Sequence, residues 1–393
     1  TAIFGSATGG AATYSVFQLL CLSAMFAWCC CFLQKRVPLW ATLLLTAAMA
    51  LLPYNGVLAI STIKDTLFTG LCAMLCLTLW EMAEGAEAFL SRKKNLVRMF
   101  AICLMMSLLR HNAAFATLPA LLVMILLGKS HRKKAVVTCI VTLLFCLAAP
   151  RCLQYATHAK SLLSSELMSV PCQQLMRTAS RATDLTEEEY NEISAWFSDA
   201  VYRYRPSYAD PAKGGNFDLE RYNEHPEEYW SLYLKYAKRY PRIYIEAFLA
   251  NCMGIWYPDD TTHAHTMDSE EWDFVYLKTG NIVPEMVGEV NAHSYLPAYR
   301  TWIYNSMHHS RHESVPLYAQ LFKPSFFVYL LLALTLMLRF RREKKFALCT
   351  LPAWGIIFSL LFSACILVRY SYPFMVCTPM FLLLVLFSSR HTA

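Results

Sequence analysis

Three short polar clusters interrupt otherwise apolar stretches of this 393-residue sequence, and each could do chemistry. The first is Lys64–Asp65. The second is Arg110-His111-Asn112. The third is Arg369–Tyr370. Ionisable groups flanked by long apolar runs are costly to keep there, so each is a functional candidate by default. A carboxylate at Asp65 could take a proton from an attacking hydroxyl; the same Asp at a helix start is also a good cap. Lys64, Arg110 and Arg369 are ready phosphate ligands, the two arginines through a planar fork of N–H donors. His111, Asn112 and Tyr370 could hydrogen-bond a sugar or a phosphate. The plainer readings are a snorkelling Lys64, a polar turn at 110–112 and an interfacial anchor at Arg369.

These residues need elements to hold them, and the composition says which kind. Of the chain, 56% is hydrophobic and 16% charged, with a mean hydropathy of +0.34. This excludes a disordered protein and argues against a soluble enzyme. The apolar residues fall in runs near the length of about 20 that a membrane helix needs. The reading is an all-α integral membrane protein with nine spans, near 12–34, 38–53, 66–83, 97–109, 113–128, 135–152, 324–340, 346–368 and 371–388. It divides into a first bundle (1–152), a mainly helical extracytoplasmic domain between the sixth and seventh spans (153–323), and a second bundle (324–393).

Charge gives a sidedness. Residues 153–323 hold 15 Lys+Arg against 23 Asp+Glu, a balance of −8, so the overall +7 leaves +15 for the remainder. Sixteen cations, from Lys35/Arg36 to Arg390, occupy alternate loops, which the positive-inside rule assigns to the cytoplasm. Residue 1, the 153–323 domain and all three clusters then lie outside, with the C-terminus in the cytoplasm. A multi-span chain that starts outside, at Thr1, leads to the expectation that an N-terminal span is missing. The basic total thus reflects loops rather than a nucleic-acid partner; the partners expected are membrane lipids.

Within 153–323, Thr186-x-x-Glu189 reads as a capping box, followed by Tyr190, Ile193, Trp196, Phe197 and Val201 at helical spacing. Pro226 opens a helix that Pro241 must end, and a further helix follows over about 242–253. Their aromatic residues suit either a membrane interface or a small core. Segments 204–218 and 257–270 read as loops.

Most of the 15 cysteines, among them Cys72, Cys76, Cys103, Cys349 and Cys377, sit in apolar runs as small buried hydrophobes. Cys152, Cys172 and Cys252 lie in or beside the polar domain, where one pair could be bridged. Asp259, Asp260, His263, His265 and Asp268 could bind a metal, but a solvated loop is the stronger reading. No Cys/His zinc spacing, GxSxG, HExxH, Walker A or GxGxxG pattern occurs, so no metal or other cofactor is expected.

The runs Phe4-Gly5-Ser6, Ser61-Thr62-Ile63-Lys64-Asp65-Thr66-Leu67-Phe68, Leu109-Arg110-His111-Asn112, Val170-Pro171-Cys172-Gln173-Gln174, Tyr240-Pro241-Arg242-Ile243-Tyr244-Ile245-Glu246-Ala247-Phe248, Trp256-Tyr257-Pro258 and Arg369-Tyr370-Ser371-Tyr372-Pro373 resemble a bacterial membrane family, domain of unknown function 6020. Its layout is similar to the GT-C glycosyltransferases. That resemblance implies transfer of a sugar from a polyprenyl-phosphate donor to a glycan, lipid or protein acceptor at the outer face. Asp65 matches an acidic residue that starts a later span, with Lys64, Arg110 and Arg369 on the donor phosphate. The leading acid of the GT-C first outer loop has no counterpart in this chain. A transporter or flippase of a lipid-linked substrate is the alternative, weakened by the lack of an internal repeat; a non-enzymatic envelope assembly protein is the third reading.

Overall fold

The computed structural model describes residues 7–61, 63–158, 166–197, 204–213, 217–259, 296–299, 301–302 and 314–387. Among these the chain is all-helical, with no strand and one isolated backbone bridge, Tyr208 to Cys365. It divides into two compact units. One comprises Thr1–Ala156, Thr261–Ile357 and Leu367–Ala393; the other comprises Thr157–Asp260 and Phe358–Ile366.

The first unit is a bundle. Its N-terminal helices are α1 (Ala7–Gln34), α2 (Leu39–Leu51), α3 (Pro53–Ile60), α4 (Lys64–Glu84), α5 (Ala86–Ser91), α6 (Lys93–Leu109), α7 (Ala114–Leu127) and α8 (Arg132–Thr157). Among the described residues, four segments are long and apolar enough to cross a membrane: Thr13–Gln34 of α1, α4, Lys129–Thr157, and the helix Val368–Phe387. Helices α2 and α3 meet at a 70° bend and make a fifth if taken as one broken span. Pro53 explains the break. It has no N–H to give to the preceding turn, and it forces Leu52 into an extended conformation (φ −71°, ψ 119°). The expected spans at 97–109, 113–128 and 324–340 are helices of shorter length; α6 has 17 residues.

Helix α4 is buried along most of its length and packs on α1, α6, α7 and Val368–Phe387. A helix apolar on every face belongs inside a bundle, and Trp80 anchors it with ring centroids 4.5 Å from Phe346 and 6.1 Å from Phe381. Helix α8 does the opposite. It leaves Val137, Ile140, Leu144, Phe145 and Leu147 exposed, an apolar surface that water would disfavour and hydrocarbon accepts.

The second unit holds α9 (Ser169–Arg181), α10 (Glu187–Ser194), α11 (Asp210–Lys213), α12 (Leu219–Glu224), α13 (Pro226–Arg239), α14 (Pro241–Asn251) and α15 (Met253–Trp256). The capping box forms as the sequence predicts. Thr186 accepts from the Glu189 N–H at 3.2 Å and Glu189 accepts from the Thr186 N–H at 3.2 Å. Proline opens both α13 and α14, so Pro241 ends one helix and starts the next. The core reading holds for part of these aromatic residues. Tyr229, Tyr236 and Tyr244 are buried in a core with Trp196, Phe197 and Phe217, whereas Trp230 and Trp256 remain about 40% exposed.

Gln174 ties this core together. It donates to the Tyr244 carbonyl at 3.1 Å and accepts from the Tyr233 hydroxyl at 2.6 Å. Arg177 donates to Glu246 (3.1 Å), which also accepts from Arg242 (2.9 Å). These guanidiniums, Arg177 first, hold the Glu246 carboxyl below its ordinary range. Cys172 is fully buried, and burial pushes its thiol up to about 12. Cys152, Cys172 and Cys252 are all free thiols, so the bridge considered among them does not form.

The remaining helices are α16 (Pro316–Gln320), α17 (Pro324–Phe340), α18 (Lys344–Ala347), α19 (Leu351–Leu360) and α20 (Val368–Phe387). The segment read as one span over 346–368 is instead divided. Helix α19 stops at Leu360, and 361–367 is not helical. The backbone groups it frees find other partners: the Ala364 carbonyl accepts from the Ala209 N–H (2.7 Å), and the Ser363 carbonyl accepts from Asn251 Nδ2 (2.8 Å). Farther back on α19, Gly355 lies against the backbone of Phe115 at the start of α7, where a Cβ would run into the Phe115 carbonyl.

Candidate functional site

Three chain segments of the bundle unit bring Asp65, Arg110, Tyr370 and Arg369 together. Asp65 is the second residue of α4, and only 6% of it is exposed. A carboxylate in the first turn faces the unpaired N–H groups of the helix start, which favour negative charge. Arg110 is the break residue after α6. Its extended backbone (φ −144°, ψ 139°) separates the helix from the 3-10 turn His111–Ala113. Arg110 Nη1 donates to Asp65 Oδ1 at 2.5 Å. Both side chains are largely withdrawn from solvent, at 14% and 9% exposure.

The third segment is the first turn of α20. The Arg110 guanidinium carbon lies 4.9 Å from the Tyr370 ring centroid and 5.7 Å from that of Phe68. Arg369 approaches the same tyrosine, with its guanidinium carbon 4.8 Å from the ring and Nη2 donating to the phenol oxygen at 3.0 Å. Tyr370 therefore links the two arginines. Two guanidiniums and one carboxylate thus meet around one tyrosine ring.

The other sequence candidates differ in exposure. Lys64 is exposed at the start of α4, and among the described residues it has no ion pair. His111 is exposed on the 3-10 turn, and Asn112 beside it is half-buried. Of the 257–270 loop, Asp259 is exposed, while Asp260, His263, His265 and Asp268 lie outside the described residues, as do Phe4-Gly5-Ser6, Thr62 and Arg390.

Sequence reasoning missed the residue that sets the α3–α4 connection. Gln18 of α1 is fully buried, and its Nε2 donates to the carbonyls of Ser61 (2.7 Å), Ala59 (2.9 Å) and Leu58 (3.4 Å). Thr66 Oγ1 adds a bond to the Leu58 carbonyl at 2.9 Å. These carbonyls lie at and just after the end of α3, so Gln18 ties the chain just before Asp65 to α1. Tyr14, one turn earlier on α1, lies within electrostatic range of Asp65. The available signal was a glutamine inside an apolar run. A second group passed over is Cys72, Cys76 and Cys377, whose sulfurs all lie within 4.8 Å of one another.

The fold and the site define a class: a helical membrane protein with a buried, arginine-rich ion-pair cluster at the ends of its core helices. The chain belongs to the family of unknown function DUF6020, whose model matches residues 1–393. No curated protein and no solved structure matches it.

Proposed function

We propose that the chain is an inverting glycosyltransferase of the GT-C type, taking a sugar from a polyprenyl-phosphate donor to a cell-envelope acceptor at the outer face. The observation that carries this reading is the meeting of Asp65, Arg110, Tyr370 and Arg369 at the ends of α4, α6 and α20. The proposal includes the sidedness read from charge, with residues 153–323 extracytoplasmic and the C-terminus in the cytoplasm.

The chemistry follows from the charges. A polyprenyl-phosphate sugar carries one negative charge, and guanidinium forks such as those of Arg110 and Arg369 suit its phosphate oxygens. As the bond from the anomeric carbon to the phosphate oxygen breaks, the leaving phosphate gains a second charge. Arg110 and Arg369 stabilise that developing charge in a site removed from water. The acceptor hydroxyl attacks the opposite face of the anomeric carbon and loses its proton to a carboxylate, for which Asp65 is the candidate. Only Asp65 Oδ1 is taken by Arg110. A bound phosphate would compete for the same guanidinium and release the carboxylate toward the acceptor.

The test is turnover. The protein in nanodiscs is given labelled polyprenyl-phosphate sugars and envelope acceptors. Transfer that is lost in Asp65→Asn and falls sharply in Arg369→Ala supports the assignment; transfer unaffected by both overturns it. One observation favours the second reading, a transporter of a lipid-linked substrate: the 70° break between α2 and α3. Discontinuous helices are a feature of transporter binding sites. Movement of labelled donor across a liposome bilayer, without any sugar transfer, would select that reading.

A further inference from the structure

We propose that Cys72, Cys76 and Cys377 form a binding site for one soft monovalent metal ion, Cu(I), that ties α4 to α20. Cys72 and Cys76 are four residues apart on α4, so their side chains share one face. Cys377 comes from α20. The three residues are at most 1% exposed. Cysteine packs anywhere as a small apolar group; here three soft donors from two helices converge on one point.

The spacing fits an ion. Three sulfurs around a metal, each at a metal–sulfur distance of about 2.3 Å, stand roughly 4 Å apart. The sulfurs of this cluster lie within 4.8 Å of one another, so closing on an ion takes less than an ångström of movement. The number of donors selects the metal. Zinc takes four ligands in a structural site, and among the described residues no fourth Cys, His, Asp or Glu joins the group. Thiolates favour Cu(I), which accepts three donors.

Charge points the same way. Three bare thiolates in this interior would be prohibitively costly, so without an ion the three side chains are thiols. When Cu(I) binds, one thiol gives its proton to water, and the new bond joins the metal to that thiolate. The other two sulfurs coordinate as neutral donors. The loaded site is then uncharged overall, as burial requires.

Position gives the site a consequence. Cys72 lies seven residues beyond Asp65, and Cys377 seven beyond Tyr370, about 10 Å along each helix. An ion there would fix the relative register of the two helices whose first turns carry the ion-pair cluster.

The experiment is a Cu(I) titration of the full chain in detergent, anaerobic, with the ion buffered by a competing chelator. The expected result is one copper retained per chain, with a first coordination shell of sulfur alone by X-ray absorption. Cys72→Ser with Cys377→Ser should weaken retention at least tenfold, while Cys103→Ser, a buried thiol outside the group, should leave it unchanged. Failure of the wild-type chain to hold copper against the chelator overturns the proposal, whatever the variants do. So does a first shell containing oxygen or nitrogen, or equal retention in the double variant.

Discussion

Replacing Arg110 with Met should damage the protein far more than losing one surface charge. Arg110 and Asp65 are 14% and 9% exposed and share a 2.5 Å hydrogen bond. An exposed ion pair is worth about 0–1 kcal/mol. Removing one partner of a buried pair leaves the other charge uncompensated and costs about 3–5 kcal/mol. Arg110→Met strands the Asp65 carboxylate, and it also removes the guanidinium from Tyr370 and Phe68. The lower bound of about 3 kcal/mol is a shift of roughly 150-fold in the folding equilibrium. The mirror change, Asp65→Asn, strands Arg110 and should cost a similar amount. The double variant has no stranded charge, so it should be more stable than the sum of the two single losses by at least about 2 kcal/mol. Equilibrium unfolding of the three variants in detergent mixed with a denaturing surfactant measures the cycle. A loss below about 1 kcal/mol in Arg110→Met, or strict additivity in the cycle, would refute the buried-pair account.

Gln18→Leu should remove the amide donor from the Ala59 and Ser61 carbonyls and the weaker of two side-chain donors from Leu58, destabilising by about 1–3 kcal/mol. Hydrogen exchange should rise first in the residues just before Asp65, and unchanged protection there would dismiss Gln18 as the clamp. Gly355→Ala should cost about 1–3 kcal/mol by overpacking against the Phe115 backbone; a neutral result in thermal scans would show that α7 and α19 can part without cost. In the 157–260 unit, Glu246 is held below its ordinary range by Arg177 and then Arg242. Its contribution is therefore present above the unfolded carboxylate range of about 4.3 and lost as pH falls through the lowered folded value. Glu246→Gln should flatten the acid limb of a stability–pH profile below that range, and an unaltered limb would count against it.

Much of the architecture was legible because hydrophobic burial in a bilayer leaves long runs. Sequence spacing located α1, α4, α8 and α20 directly, and the capping chemistry of Thr186 and Glu189 gave the start of α10. Proline gave the breaks at Pro226 and Pro241. The bend after Leu52 was less visible, because Pro53 sits at the end of an apolar run that reads as a single span. The division of 346–368 was hidden for a different reason. The carbonyls of Ser363 and Ala364 are satisfied by Asn251 and Ala209, partners more than 110 residues away in the chain.

The seven site candidates were legible as three separate polar clusters, but the meeting of Asp65, Arg110, Arg369 and Tyr370 was not. Arg110 reaches Asp65 only because α6 packs on α4 and ends at the right level, and no local pattern encodes that. Lys64 illustrates the converse. It neighbours Asp65 in the chain yet is exposed, because adjacent helical residues face different directions. Gln18 and the cysteine trio were passed over for one shared reason: a single polar or soft residue in an apolar run carries no spacing signal until the helices it joins are known.

The most direct test of the central claim is the binding of a labelled polyprenyl-phosphate sugar to the protein in nanodiscs, compared with the unphosphorylated polyprenol. The account predicts saturable binding that requires the phosphate, weakens at least tenfold in Arg369→Ala, and weakens with rising salt less than exposed charges would allow. Equal binding of the polyprenol, or an affinity indifferent to Arg110 and Arg369, would contradict it.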